Sequence, residues 1–513
     1  MKRLANDAIN TNENNLEQYV SNCLFGRYTI YTSLDDVYEN NVIDEINSAL
    51  PIHIQNLMAE EYLYWYRRGV QPILNRTKER NSFINNRVVE NHAEEIVAFK
   101  NGYLFFSQPA FYIARRKGAQ GKINKLNEYL YRSGKTQADN ELADWFHTVG
   151  KAALMVEPND DPEEPVKAYA LDPRSAFVVY STRPGNKPVY AVNMVTRDKD
   201  VSIDVFTRTQ VFRIRGSASK TLPMIDPNTV ATAINVEAVE PNVLGYIPII
   251  EYSYNSVNMG SFEAVIPLLN MINNMRSNQI DGVEQFIQNL MVMYNCELPD
   301  DENVNTLKQK GLLILKSFAD NKADVKILSE QLNQTDTQVL VNSVYEQVLT
   351  ICAMPSTRKG GTSTSDTGAA VEMRDGWMQA TNSARNTEDL FKKSNRYFDE
   401  IFIEILRRKG LLDIQLSDFE IHFTRYETAN IQSKAQAFQT LMSAGLDPTL
   451  ALSKSGVSSD PVADYKMSEK YIKMIWGDPD KVVEAEQTDG GQGEAEIIES
   501  DRFTGDNDTG GAS

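Results

Sequence analysis

The sequence predicts a multi-domain α+β protein. Three observations indicate this fold class: a length of 513 residues with 42% hydrophobic content, alternating apolar segments and turns over 152–257, and long helical periodicity after residue 261. At about 100–200 residues per domain, the length corresponds to three or four domains with real cores. The change of period near residue 261 separates a mixed region from one dominated by long helices.

Composition excludes several classes of protein. The three cysteines are too few and too far apart for a disulfide-stapled secreted protein. No stretch of about 18 apolar residues is present and the N-terminus is polar, so we expect a soluble protein made in the cytoplasm, without membrane contact. The net charge of −18 argues against binding nucleic acid over the whole surface, because phosphate contacts need cations.

The N-terminal part predicts helices and one short strand. Residues 1–26 are polar and Asn-rich, and we interpret them as a flexible segment. Apolar residues recur at helical spacing within 34–99, and Gly102 ends this pattern. The apolar run 103–109 predicts a strand that ends at its proline, and a further helix is expected over 140–150.

Short apolar segments and turns then alternate at hairpin-like intervals. Turn residues at Pro184-Gly185 and over 198–200 separate them, which favours antiparallel pairing. The predicted strands are 152–157, 168–171, 177–180, 189–195, 203–207, 211–214 and 244–252. We therefore predict an α+β domain over 27–257.

A long amphipathic helix is predicted next. From Ser261, a plausible N-cap, apolar residues repeat every three or four positions to Leu290, which corresponds to a rod of roughly 45 Å ending near residue 295. Asn273, Arg276 and Gln279 interrupt the apolar stripe. A long helix with a polar middle suggests packing against copies of itself in an assembly.

A small module and a returning helix follow. Strands at 312–316 and 325–328 flank a turn and predict a hairpin, and a second helix over 335–351 runs back in the opposite direction. The loop 354–368 is rich in Ser, Thr and Gly and carries Arg358 and Lys359. The remaining predicted elements are a long helix over 369–408 that could kink at Gly376, a strand over 419–423 and a helical segment over 428–476.

Residues 477–513 predict a disordered acidic tail. They hold eleven acidic residues against two basic ones, which is half of the net charge of the chain. With seven glycines and few apolar residues, the segment cannot bury enough surface to offset the entropy of ordering. An interaction tail and a simple spacer both remain open.

Two clusters of basic residues have alternative interpretations. They could form a phosphate-contacting face, or a solvated helix face with ion pairs between subunits. The residues are Arg67, Arg68, Arg76, Lys78, Arg80 and Arg87, and later Arg115, Arg116, Lys117, Lys122 and Lys125.

No catalytic or metal site and no cofactor is predicted. Gly134-Lys135-Thr136 resembles the end of a phosphate-binding loop, but Tyr129 stands where the first glycine would be. The acidic turn 160–164 fits no calcium-loop spacing and reads better as a solvated charge run. Isolated side chains expected to be structural are His53, His147, His422 and Cys352.

The order of the elements resembles the portal proteins of tailed double-stranded DNA phages, in the branch typical of long-tailed phages of Gram-positive hosts. The stretches that carry the resemblance are 85–105, 244–252 with 260–270, and 361–373. Together the similar region covers roughly residues 30–476.

The resemblance implies a homo-oligomeric ring, usually of twelve subunits, at one vertex of the virion capsid, assembled in the host cytoplasm. Double-stranded DNA would pass through its channel during packaging and ejection. The implied partners are the terminase large subunit, a head-tail connector or adaptor protein, and the major capsid and scaffolding proteins.

The resemblance also implies a division of the chain into portal parts. These are a flexible N-terminal segment (1–26), an α+β wing (27–257), stem helix 1 (258–297), a clip (298–333), stem helix 2 (334–353), a tunnel loop (354–368), a long kinked helix with a wing strand (369–426), a crown (427–476) and the acidic tail (477–513).

Under this resemblance, three sets of residues are candidate site residues. Those of the tunnel loop are Arg358, Lys359, Thr362, Ser363, Thr364 and Ser365. Those expected to line the stem lumen are Asn278, Asp281, Glu284 and Gln288. Those expected to dock terminase or connector at the clip are Asp300, Asp301, Glu302, Lys308, Lys310, Asp320 and Lys322.

Two other functions are considered. One is a structural scaffold or adaptor of a virion that has long helices but no channel. The other is a divergent nuclease or ATPase whose site residues come together only in three dimensions.

Overall fold

A computed structural model gives the structure of the chain. It describes residues 26–78, 83–105, 111–116, 119–197, 200–217, 234–287, 290–294, 324–328, 334–356, 376–423, 431–458 and 461–476. The chain divides into two compact units, residues 1–428 and 429–513, and each is described by itself. The fold is mixed α and β, as predicted.

The first unit begins with a region of mixed helix and strand. Its α-helices are α1 (Val42–Arg67), α2 (His92–Leu104), α3 (Gln120–Arg132) and α4 (Lys135–Val149), with a 3-10 turn at Pro72–Asn75. Its strands are β1 (Ile30–Thr32), β2 (Phe111–Ala114), β3 (Lys151–Pro158), β4 (Val166–Leu171), β5 (Ala176–Ser181), β6 (Pro188–Arg197), β7 (Asp200–Phe206), β8 (Gln210–Ser217), β9 (Ile234–Pro241) and β10 (Ile249–Ser253).

Two packed sheets form the body of this region. The larger has the order β1-β5-β6-β7-β8-β9, in which β1 is parallel to β5 and the other pairs are antiparallel. Val42, Ile46 and Leu50 of α1 pack on one face of it. On the other face lies the sheet β10-β3-β4, with Met155 and Ile249 in the shared core. Six of the seven strands predicted between 152 and 252 are thus confirmed, whereas the predicted strand 244–252 is extended only from Ile249 onward.

The prediction for residues 103–105 was wrong. Tyr103 and Leu104 complete α2, which runs through Gly102, and both side chains are buried in the core. The next described strand begins at Phe111. An apolar run of this length fits either a strand or a buried helical turn, and tertiary packing decides between them. Residues 83–91, including Val88 and Val89, lie outside the helix.

The long helical region differs from the prediction in length. After a 3-10 turn at Glu263–Val265, helix α5 spans Ile266–Ile287, and β11 follows at Leu290–Tyr294. The predicted rod to residue 295 is therefore too long, because its last part is a strand. Ser261 is not the N-cap: its hydroxyl is buried without a hydrogen bond among the described residues.

The strand at 325–328 is confirmed, and it pairs with a strand that the sequence did not predict. β12 (Asp324–Leu328) pairs antiparallel with β11, from Leu290 opposite Leu328 to Tyr294 opposite Asp324. The partner predicted at 312–316 lies outside the described residues. Helix α6 (Gln334–Ile351) then returns as predicted.

The first unit ends with a long helix and a strand. Helix α7 spans Trp377–Arg408, packs on β10 and β3, and buries Phe398 and Phe402 in the core. The sequence predicted that a longer helix could kink at Gly376. In the structure, Gly376 has φ of +84° and stands at the N-cap of α7 instead. A 3-10 turn at Leu416–Asp418 leads into β13 (Phe419–His422), which pairs antiparallel with β2.

The second unit is helical, as predicted for 428–476. Its helices are α8 (Ile431–Ser443), α9 (Pro448–Ser455) and α10 (Pro461–Trp476). Asp447 caps α9, because its carboxylate accepts hydrogen bonds from the amides of Thr449 (2.9 Å) and Leu450 (3.2 Å).

Candidate stem and its attachment

Helices α5 and α6 form an antiparallel pair. Near one end, the Cys352 thiol lies 3.7 Å from the carbonyl oxygen of Ser261. Further along, the Arg276 guanidinium donates to Gln338 Oε1 at 2.7 Å. The apolar core of the pair includes Phe262, Val265, Leu269, Ile272, Val344 and Val348, which also pack against α1 and α2. The first half of α5 is therefore held by ordinary apolar packing.

The second half of α5 is held by polar contacts instead. Residues 76–78 and 83–90, which we call the strap, lie along it. Three strap amides at alternate positions donate to three buried side chains of α5 that are four residues apart. The pairs are Glu90 N to Asn273 Oδ1 (2.8 Å), Val88 N to Ser277 Oγ (3.0 Å) and Asn86 N to Asp281 Oδ1 (2.8 Å). We call these three bonds the ladder.

The spacing of the ladder follows from elementary geometry. Four residues of α-helix rise about 6 Å. Two residues of extended chain rise about 6.6 Å, and successive alternate amides point the same way. An extended segment can therefore donate to every fourth side chain of a helix over a few turns. Asn273 and Ser277 are completely buried and Asp281 is 3% exposed, so each strap amide finds its acceptor away from water.

Asp281 accepts more hydrogen bonds and ion pairs than any other described side chain of α5. Its carboxylate accepts from Lys78 Nζ and lies 3.3 Å from Arg76 Nη1, in addition to the backbone and side-chain nitrogens of Asn86. Burial alone would raise the pKa of Asp281, but the hydrogen bonds from Lys78 and Asn86 outweigh it and hold that pKa below its usual value. The carboxylate therefore stays charged.

Asp281 therefore does not suit the lumen position predicted for it. A carboxylate that is buried and paired with two cations of its own chain presents almost no charge to solvent. Asn278 and Glu284 are exposed on α5, whereas Gln288 lies outside the described residues. The sequence analysis attributed the polar middle of the helix to packing against copies of the chain. In the structure, its polar side chains Asn273 and Arg276 find hydrogen-bond partners within one chain.

Sequence reasoning missed the strap, although a signal was present. Asn273, Ser277 and Asp281 recur at intervals of four, which places them on one face of a helix. A polar stripe at this spacing is usually solvent-exposed. Here the stripe is buried because the backbone amides of residues 86–90, which are distant in sequence, donate hydrogen bonds to it.

Apolar side chains are exposed toward the far end of the pair. Ile280 and Val283 of α5 are both 42% exposed, and Val339 and Leu340 of α6 are 61% and 48% exposed. None of these four belongs to the core of the pair. They form an apolar surface that the described part of the chain does not cover.

A buried ion pair lies where α5 leaves the two sheets. The guanidinium of Arg27 contacts the carboxylate of Glu263, and both side chains are completely buried. Glu263 also accepts from the Gly260 amide at 2.8 Å. Burial raises the pKa of Glu263, although Arg27 acts in the opposite direction.

Glycines allow close backbone contact at the same place. A Cβ on Gly150 would lie 2.0 Å from the carbonyl oxygen of Asn258, and Gly150 has φ of +92°. A Cβ on Gly260 would lie 2.4 Å from the carbonyl oxygen of Thr148. The end of α4 and the segment before α5 are therefore in direct backbone contact.

Many residues of the basic clusters form contacts within the chain. Arg67 pairs with Asp144 at 2.6 Å and Glu94 at 2.7 Å. Other described contacts are Arg76 and Lys78 with Asp281, Arg115 with Glu420, Arg116 with Asp418, and Lys122 with the carbonyl oxygen of Asp413. Arg80 and Lys117 lie outside the described residues. These contacts argue for a structural role of the clusters.

The residues that resembled parts of catalytic motifs lie in surroundings that are typical of structural side chains. Lys135 is buried, contacts Asp139 and lies 4.7 Å from the centre of the Phe398 ring, so it is not placed to reach a phosphate. Burial lowers the pKa of His53 to about 3 and raises that of Cys352 to about 11. Among the described residues, no group of three or more His, Cys, Asp or Glu side chains is placed to hold a metal ion.

The remaining candidate residues belong to the predicted tunnel loop and clip. The tunnel-loop residues Arg358, Lys359 and 362–365 lie outside the described residues, and so do the clip residues Asp300, Asp301, Glu302, Lys308, Lys310, Asp320 and Lys322. Within the described ranges, no helix has the length and hydropathy of a membrane span.

Comparison with known proteins identifies the family. The family described as phage portal protein, SPP1 Gp6-like, matches residues 18–473, which is most of the chain. The chain belongs to this family of phage portal proteins. The match confirms the resemblance stated from the sequence, including its branch.

Two further comparisons accompany this result. One solved structure that the portal protein matches is the neck of an empty GTA particle, computed with C6 symmetry. Identity is 11%, the TM-score is 0.44, and the match covers 71% of the portal protein and 90% of the other chain. No curated protein matches the sequence.

Proposed function

We propose that copies of this portal protein form a closed ring at one vertex of a phage capsid, and that double-stranded DNA passes through the axial channel during packaging and ejection. The observation that carries the proposal is the family match over residues 18–473. The same ring would dock the terminase motor, and afterwards the head-tail connector, on its clip. The implied role is structural, without an enzymatic step.

The geometry supports a ring through the exposed stem surface. Ile280, Val283, Val339 and Leu340 are large apolar side chains left open by the described part of the chain. In a rotationally symmetric ring each subunit presents two different faces to its two neighbours. We infer that these side chains pack against the next copy. Because each is already about half buried, the further burial would contribute roughly 1 kcal/mol each.

The portal parts map onto the structure as a proposal. The two sheets with α1–α4, joined by α7 and β13, would be the wing. Helices α5 and α6 would be the stem, the β11–β12 sheet would belong to the clip, and α8–α10 would be the crown. The loop between α6 and α7 would be the tunnel loop, with Arg358 and Lys359 as transient phosphate contacts.

Assembly of the purified full chain tests the ring. We expect closed rings with a central hole in negative-stain images and a single oligomer by mass photometry. Val339→Glu should shift the population to monomers, whereas the matched change Val243→Glu, at a side chain 83% exposed outside the stem, should not. Monomers of the unchanged chain would contradict the ring and favour a virion scaffold or adaptor without a channel.

Passage of DNA is tested separately. Arg358→Ala combined with Lys359→Ala should leave ring assembly intact and alter the length or retention of packaged DNA. Normal yield and normal DNA length in this variant would argue against phosphate contacts by the tunnel loop.

A further inference from the structure

The last helix of the second unit carries an exposed apolar stripe. Met467 is 74% exposed, Tyr471 64%, Met474 78% and Ile475 71%. These positions are separated by three or four residues or are adjacent, so the four side chains lie on one side of α10. Large apolar side chains that cluster on a surface in this way mark an interaction site.

A different side of α10 packs within the second unit. Helix α10 contacts α9, and Tyr465 and Ile472 are half-buried. These two residues are seven positions apart, which is two helical turns, so they share a face. The stripe lies away from that face and is left for a partner beyond the described residues.

A row of lysines borders the stripe. Lys466 and Lys470 are exposed, and each directly precedes a residue of the stripe. Lys473 continues the row and pairs with Glu469 at 3.0 Å. Among the described residues, neither Lys466 nor Lys470 has a hydrogen bond or an ion pair. The surface therefore combines apolar side chains with uncompensated positive charge, which suits an acidic segment that carries large apolar residues.

The acidic tail contains a segment with this chemistry. Of the five large apolar residues in 477–513, three are Ile497, Ile498 and Phe503. They fall within residues 494–503, which also hold four acidic residues and one basic residue. The charge and the apolar content of this segment therefore complement those of the stripe and its lysines.

The position of the tail brings this segment within reach of the stripe. The tail begins at Gly477, directly after α10. Residues 477–493 can span up to about 56 Å, whereas the stripe extends only about 14 Å back from the end of the helix. Such a tether gives an effective concentration of roughly 1 mM, so a dissociation constant of ~0.1 mM would keep the stripe covered about nine-tenths of the time.

We propose that residues 494–503 dock on the apolar stripe of α10 in their own chain, with their acidic residues beside Lys466 and Lys470. The tail is then a removable cover of this surface and not a simple spacer. The proposal goes beyond the ring and the channel, because it concerns the second unit alone.

Methionine oxidation by hydrogen peroxide, followed by peptide mass spectrometry, tests the docking on the full-length protein. The thioethers of Met467 and Met474 report on access to the stripe, and Met378, which is 52% exposed on α7, is the internal reference. Ile497→Asp with Ile498→Asp should speed oxidation of Met467 and Met474 about fivefold or more and leave Met378 unchanged. The matched control, Val482→Asp with Val483→Asp, adds the same charge to the tail and should change none of the three rates.

A second pair of variants tests the lysines. Lys466→Glu with Lys470→Glu should also speed oxidation of Met467 and Met474, because the reversed charge repels the acidic segment. Lys454→Glu, an exposed change on α9, should not. Unchanged oxidation of the two methionines in the isoleucine variant would overturn the proposal, and so would an equal acceleration in the valine control.

The outcome can be separated from that of the ring. Mass photometry of the same samples gives the oligomeric state. A chain that forms no ring but shows the effect of the isoleucine variant would contradict the proposed function and support the docking. Slow oxidation of Met467 and Met474 that occurs only in oligomers and persists in the isoleucine variant would assign the stripe to a neighbouring copy and overturn the docking of the tail.

Discussion

Arg27 and Glu263 form an ion pair in which both side chains are completely buried. Arg27 stands next to β1, at the start of the described chain, and Glu263 stands in the 3-10 turn that leads into α5. The pair therefore connects the start of the mixed helix and strand region to the helix proposed to surround the channel. Because neither charge reaches water, each depends on the other for compensation.

Removing one partner of this pair should be costly. We expect Arg27→Ala to lower the free energy of unfolding by ~3–5 kcal/mol, because it leaves a buried carboxylate uncompensated. Arg183→Ala is the control: it breaks an arginine–carboxylate pair with Asp35 whose side chains are 70% and 64% exposed. That change should cost less than about 1 kcal/mol. Urea denaturation measures both, and equal losses would contradict a special role for Arg27.

The sequence predicted correctly the elements whose secondary structure is determined by the local pattern of residues. The alternation of short apolar segments with turns predicted β3–β8, and the helical spacing of apolar residues predicted α6 and α8–α10. Prediction from the sequence failed where the structure depends on contacts with residues that are distant in the chain. Asn273 and Ser277 look like solvent-facing positions until the amides of 86–90 are brought against them. Likewise, no local signal indicates that 325–328 pairs with 290–294, because the helical spacing continues into the latter segment.

The candidate site was predicted in outline but not in detail. Two antiparallel helices bracketing a β-containing module follow from periodicity alone. The role of Asp281 does not, because an isolated acidic residue on a long helix does not indicate whether it faces solvent or a buried lysine. The positive φ of Gly376, which starts α7, was also invisible to a pattern that fits a continuous helix.

Backbone contact at Gly150 gives a second prediction. Gly150→Ala should destabilise the protein by more than about 1 kcal/mol, because it places a Cβ 2.0 Å from the Asn258 carbonyl oxygen at a φ of +92°. The same substitution at Gly102, inside α2 with open space around its Cβ position, should instead stabilise by up to about 1 kcal/mol. Thermal unfolding of the two variants should move in opposite directions, and a common direction would refute this account.

A third prediction concerns pH. The Tyr112 hydroxyl and the Asn395 amide donate to Asp399 Oδ1 at 2.6 and 3.2 Å. Burial raises the pKa of Asp399 from 3.8 to about 7, although these hydrogen bonds and Lys135 act in the opposite direction. A carboxyl whose pKa is raised by folding stabilises the folded state when protonated. That contribution is lost as the pH rises from about 4 to about 7.

Asp399→Asn removes this dependence. Relative to the unchanged chain, its melting temperature should rise steadily between pH 5 and pH 7 and level off above pH 7. Asp35→Asn, an exposed change, serves as the control and should follow the unchanged chain. A constant difference between Asp399→Asn and the unchanged chain across this range would mean that Asp399 does not titrate there.

The last prediction separates a structural lysine from a nucleotide-binding one. Lys135 is buried against Asp139 and lies close to the rings of Phe391 and Phe398. Lys135→Met should therefore lower the free energy of unfolding by ~3–5 kcal/mol, because burial already raises the pKa of Asp139 and removal of the cation leaves that group unpaired. Adding Asp139→Leu should recover much of the loss, since an apolar pair can replace a buried ion pair. Neither variant should change ATP hydrolysis by the purified chain, which we expect to be absent from the start. ATP turnover that disappears with Lys135→Met while stability is retained would show that this lysine serves a nucleotide instead of the core.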